Sequence, residues 1–95
     1  MTKGPEGKLK DQVKAYLDER GAYYFMPVQT GFGAATVDFL CCVQGHFVAI
    51  ETKIWPRKPT PRQLLCLGAV QAAGGVGFVA YDMNAVRANL GRYDD

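Results

Sequence analysis

At 95 residues and 48% apolar content, the chain can build one hydrophobic core but not two. Its formal net charge of +2 excludes a bulk polycation, so any contact with nucleic acid depends on where the cations sit. Three cysteines without a Cys-x-x-Cys and one histidine speak against a disulfide framework or a zinc centre. No apolar run is long enough to span a bilayer, and the polar start carries no signal peptide. The expectation is a single domain, 1–95, in a reducing compartment.

The periodicity predicts a first helix over residues 5–20. Leu9, Val13, Tyr16 and Leu17 form one stripe, and Gly21 stops the helix. Glu6 lies on that stripe, three residues before Leu9, and so points to the core side, unlike Lys8 and Asp11. The plain alternative for Glu6 is a first-turn acid favoured by the helix dipole. Lys3, Lys8, Lys10 and Lys14 make this helix cationic. Residues 22–29 read as a strand weighted by Tyr23, Tyr24 and Phe25, with Pro27 marking an edge or an end. Residues 30–35 read as a glycine-containing loop, as well suited to be a plain connector as a phosphate cradle.

The chain is organised around residues 36–53. Two apolar, β-prone runs flank Gln44-Gly45, the pattern of a hairpin with a two-residue turn. That turn sets Val43 opposite His46, Cys42 opposite Phe47 and Asp38 opposite Glu51, with Lys53 on the same face as Glu51. Cys41 and Cys42 then point to opposite faces as small hydrophobes. A cross-strand salt bridge on a solvated face is the plain reading of the charges. It leaves two carboxylates that, at ~4 Å, repel by about 4 kcal/mol at an effective dielectric near 20. One lysine does not offset both; a divalent cation would.

Pro56, Pro59 and Pro61 keep the next segment stiff and non-helical. Arg57 and Lys58 suit phosphate contacts. Trp55 is by ordinary expectation folded onto the core, or else a stacking or wedging side chain. Thr60-Pro61-Arg62-Gln63 carries the residues of a capping box and opens a helix that runs to Gly74-Gly75, with Gly68 allowing close packing on the sheet. Residues 76–81 read as a short strand covered on both faces. Asp82 caps a last helix over 83–90 that Gly91 stops, and Asp94 and Asp95 close the chain. The expected fold is α/β, a small mixed sheet flanked by helices in the order αβββαβα.

Asp38, a hairpin, then Glu51-Thr52-Lys53 resembles the motif of the PD-(D/E)XK (restriction-endonuclease-like) nuclease superfamily, with Val37-Asp38 standing where that superfamily has Pro-Asp. Adding Glu6 on the first helix and Thr60-Pro61-Arg62-Gln63 after the strand, the set is similar to the small stand-alone VRR-NUC nucleases of bacteria and phages, over nearly the whole chain. The resemblance implies a catalytic set of Asp38, Glu51, Lys53, Gln63 and Glu6. It also implies Mg²⁺ or Mn²⁺ on Asp38, Glu51 and the Thr52 carbonyl, with Lys53 orienting the water. Gln63 would then face the site and not the cap. Arg57, Lys58, Arg62 and Trp55 would contact DNA. The implied activity is endonucleolytic cleavage of branched DNA such as Holliday junctions, by a homodimer, leaving a 5′-phosphate, in the cytoplasm of a bacterium or phage-infected cell. Archaeal-type junction resolvases share the Glu-x-Lys pattern. A non-catalytic nucleic-acid-binding module and a non-specific or restriction-type endonuclease are the alternatives.

Overall fold

The computed structural model describes residues 3–28 and 36–93. Gln29, the glycine loop at 30–35 and the terminal Asp94 and Asp95 lie outside the described residues. The elements are α1 (Pro5–Glu19), β1 (Tyr23–Phe25), β2 (Phe39–Val43), β3 (His46–Thr52), α2 (Pro61–Ala72), β4 (Val76–Ala80) and α3 (Met83–Leu90), then a 3-10 turn at Gly91–Tyr93. The strands lie in the order β1-β2-β3-β4, with β4 parallel to β3 and the other pairs antiparallel. This is the expected mixed α/β arrangement. No helix among the described residues is long and apolar enough to cross a membrane.

The hairpin register is the one its turn dictates. Gln44 and Gly45 both have positive φ, 49° and 81°, the two-residue geometry that matches strand twist. Val43 pairs with His46 and Cys42 with Phe47, and the ladder closes at Phe39 opposite Ile50. The first strand is shorter than its aromatic run implied, ending at Phe25, two residues before Pro27, which has no N–H to give a ladder.

The two faces of the sheet are covered unequally. On one, α1 and α3 close over Phe39, Cys41, Val43, Val48 and Ile50, burying Val13, Leu17, Val86 and Leu90 completely. On the other, α2 alone packs Leu67 against Val37 and Ala49. A helix is about 10 Å across and strands lie about 4.8 Å apart, so one helix covers two strands of four. The helix lies over β3 and β4, with which it makes its contacts. Tyr23, Phe25 and Phe47, which share that face, stay exposed, as do Leu64 and Leu65 on the helix itself.

Gly68 does not provide the close approach expected of it. It is exposed, and a Cβ there would meet nothing within 4 Å. The approach is made from the strand side. A Cβ on Gly77 would lie 2.8 Å from the Leu67 carbonyl oxygen, and one on Gly75 would lie 2.9 Å from that of Phe47. At Gly77 helix backbone meets strand backbone, and the strand is the partner that gives up its side chain.

Candidate active site

The end of the sheet where β3 and β4 finish in parallel collects the charged residues. Asp38 sits in a bend immediately before β2, and Glu51 and Thr52 end β3. The Asp38 N–H donates to Glu51 Oε1 at 3.0 Å, so the two residues meet as the register requires. Their carboxylates do not share a face, however. Asp38 lies beyond the last ladder pair, and at this end of the sheet its side chain turns towards α1, where Lys10 meets it. There Oδ2 accepts from the Thr52 N–H at 3.0 Å and from the Thr52 hydroxyl. The Thr52 side chain therefore locks Asp38, a role separate from the carbonyl ligation that the resemblance implied.

Lys53 Nζ lies 3.2 Å from Glu51 Oε2. Glu51 is 1% exposed, and burial pushes its carboxyl above the ordinary range. The charge of Asp38 adds to that shift, while the Lys53 ammonium and the Asp38 N–H oppose it.

Glu6, in the first turn of α1, comes to the same place through Lys10. That ammonium lies 3.5 Å from Glu6 Oε2 and 3.5 Å from Asp38 Oδ1. Lys10 is a site residue that sequence reasoning missed, grouped with the other cations of the helix. The signal was its spacing: four residues after Glu6, it must share the face that carries Glu6 to the sheet.

Gln63 is placed differently from the site role implied for it. Its Oε1 accepts from the Thr60 N–H at 2.8 Å while its own N–H donates to Thr60 Oγ1 at 3.2 Å, a complete capping box. Arg57 and Lys58 are exposed on the segment that leaves Lys53, and Arg62 is exposed in the first turn of α2. Trp55 is not folded onto the core. It is 71% exposed, its ring edge-on to Tyr81 at 6.1 Å. Cys41 and Cys42 do point to opposite faces. Burial pushes the Cys41 thiol up to about 12, whereas Cys42 is exposed.

Hard oxygen donors suit Mg²⁺ or Mn²⁺, and Asp38 and Glu51 offer two carboxylates with one oxygen each not tied to a backbone N–H. Among the described residues no three acidic, histidine or cysteine side chains form a ready cage. The donor chemistry of Asp38 and Glu51 suits a small cation that keeps most of its water shell and needs few protein ligands, as Mg²⁺ does.

No family model matches this sequence, and no curated protein matches it either. A solved structure described as a VRR_NUC domain does align with it, over 93% of this chain and 96% of that one, with a TM-score of 0.74 and 23% sequence identity. The fold is that of a VRR_NUC domain. The helices and mixed sheet expected from the sequence are thus those of the VRR_NUC fold. At this identity the likeness is one of architecture. The chemistry has to be argued from Asp38, Glu51, Lys53 and their neighbours.

Proposed function

We propose that the chain is a metal-dependent nuclease that hydrolyses DNA phosphodiesters, with branched DNA such as a four-way junction as substrate and a homodimer as the working form. The observation that carries this reading is the buried Glu51, held against Asp38 by a backbone hydrogen bond and against Lys53 by an ion pair, at the open end of a parallel strand pair. Asp38, Glu51 and the Thr52 carbonyl would hold Mg²⁺ or Mn²⁺. A cation there supplies an activated water at neutral pH and polarises the phosphate. Lys53, anchored by Glu51, would orient the attacking water and stabilise the charge that develops on the phosphorus oxygens. Glu6 would assist from the first turn of α1. Arg57, Lys58 and Arg62 would grip phosphates, and the exposed Trp55 ring would stack on or wedge against bases. A domain this small has little surface for reading base edges, which favours recognition by shape and backbone, in a reducing cytoplasm.

The half-covered face of the sheet supports the homodimer. Tyr23 and Leu65 are 75% and 73% exposed, with Phe25, Phe47 and Leu64 more than half exposed beside them. An apolar groove of about 650 Å³ runs along α2 between Pro61, Leu64, Leu65, Gly68 and Ala69. The sheet lacks a helix over β1 and β2, and α2 lacks a cover on its outer side. A two-fold operation meets both needs at once, each α2 lying on the other copy's open half-sheet. Arg62 is the one charge within α2, and β1 and β2 carry none, so copies would not repel. At about 200 Å² per aromatic side chain, Tyr23, Phe25 and Phe47 leave roughly 350 Å² exposed per copy before the leucines are counted. Stable interfaces bury about 800 Å² per partner, a figure within reach of the whole face.

Cleavage of labelled duplex, flap and four-way junction with Mg²⁺, Mn²⁺ or chelator tests the chemistry. The expected result is metal-dependent cutting of the junction, lost by about 100-fold or more in Lys53→Ala. Binding without cutting, at any metal concentration, would move the protein to the non-catalytic module. Sedimentation tests the assembly: a dimer that Leu65→Glu converts to a folded monomer is expected, and a wild-type monomer at all concentrations rejects it.

A further inference from the structure

Each carboxylate of the site has one oxygen fixed by the protein and one held by a lysine. Asp38 Oδ2 is taken by Thr52 and Oδ1 by Lys10; Glu51 Oε1 is taken by the Asp38 N–H and Oε2 by Lys53. Lys53 belongs to the motif, but Lys10 does not. Its ammonium is 29% exposed and lies 3.5 Å from both Glu6 and Asp38. It stands on α1 one turn after Glu6, and its long stem lets the charged end swing out to water without disturbing the helix.

We infer that Lys10 is a resident counter-cation that competes with the divalent metal for Asp38 Oδ1, so that it sets how much metal the site needs before it fills. This rests on the nuclease reading only in taking Asp38 as a ligand. In the metal-free protein the Lys10 ammonium is shared between Asp38 and Glu6 and compensates part of their charge. When Mg²⁺ or Mn²⁺ binds, Oδ1 leaves Lys10 for the metal, and the ammonium stays tethered to Glu6 at the mouth of the site. An occupant that must be displaced lowers apparent affinity in proportion to the fraction of time it holds the site.

Calorimetric titration of Mn²⁺ into the metal-free protein, without DNA, measures this directly. If Lys10 holds Oδ1 about nine-tenths of the time, Lys10→Met will bind Mn²⁺ roughly tenfold more tightly than wild type. Lys10→Arg, which keeps the charge, is expected to stay near wild type. So is Lys14→Met, whose lysine pairs with Asp11 one turn further on. A Lys10→Met protein that binds Mn²⁺ as weakly as wild type, or more weakly, overturns the inference, because a lysine that merely positioned Asp38 would cost affinity when removed. So does equal tightening in Lys10→Arg or Lys14→Met. The nuclease reading fails by a different outcome: no Mn²⁺ binding by wild type, or binding that Asp38→Asn leaves intact.

Discussion

The two faces of one small sheet have different fates. Under α1 and α3 the core is finished, with Val13, Leu17, Phe39, Ile50, Val86 and Leu90 all at 0% exposure. Under α2 it is half built, and aromatic side chains that would ordinarily be buried stand in water. The contrast separates what holds the fold together from what is left over for assembly. Phenylalanine supplies a matched pair to break it. Phe39→Ala on the closed face should cost about 3–5 kcal/mol, a large share of the roughly 5–15 kcal/mol that keeps a domain folded. Phe47→Ala on the open face should cost under about 1 kcal/mol. Urea unfolding at concentrations low enough to keep the protein monomeric measures both. Equal losses would mean that the open face is already structural within one copy.

Glycine supplies the second pair, with a smaller effect. A methyl on Gly77 has to displace the Leu67 carbonyl from 2.8 Å, which moves α2 away from β4. Gly77→Ala should therefore destabilise by about 1–3 kcal/mol. Gly68→Ala adds its methyl to open space in a helix interior and should stabilise the monomer by up to ~1 kcal/mol. Thermal melts of the two variants should therefore move in opposite directions. If Gly68→Ala is the damaging one, then Gly68 and not Gly77 is where helix and sheet approach.

The same glycines show where sequence reading succeeds and where it stops. A two-residue turn permits one register, so the opposition of Val43 to His46 and the meeting of Asp38 with Glu51 followed from Gln44-Gly45 alone. Caps are local chemistry, and Thr60, Gln63 and Asp82 cap as their spacing requires. Close approach between α2 and β4 is not local. It depends on which backbone yields, and no pattern within α2 distinguishes Gly68 from a spacer. Asp38 lies between these cases. Its position was fixed by the hairpin, but its side chain was released by the end of the ladder, and only the three-dimensional bend shows it turning to Thr52 and Lys10. Trp55 escapes the ordinary expectation for a similar reason. Aromatic size argues for burial, but Ile54 beside it takes the place against the core and leaves Trp55 facing water, compatible with the alternative of a stacking side chain.

The finest contrast lies where the two faces end, between Glu51 as a structural residue and Glu51 as a site residue. Burial, and then the charge of Asp38, raise its carboxyl above the ordinary value, with Lys53 opposing. A folded carboxyl that holds its proton more tightly than the unfolded chain does adds stability below the ordinary value near 4.3. That stability is lost as pH rises through the folded value. At neutral pH, without metal, ionised Glu51 therefore works against the fold. Glu51→Gln keeps an acceptor for the Asp38 N–H and removes the charge. In chelator at pH 7–8 it should melt higher than wild type, by roughly 4–8 °C if the gain is about 1 kcal/mol. The difference should vanish near pH 4, where wild-type Glu51 is protonated. Saturating Mn²⁺ should reverse the order at neutral pH, since binding to the native state stabilises wild type by RT ln(1 + [L]/Kd) and the glutamine variant has lost a ligand. A Glu51→Gln protein less stable than wild type in chelator at every pH would mean that the bonds of Glu51 to Asp38 and Lys53 outweigh the cost of its charge. Glu51 would then be a strut of the sheet end, and its burial would no longer mark a site kept at the expense of stability.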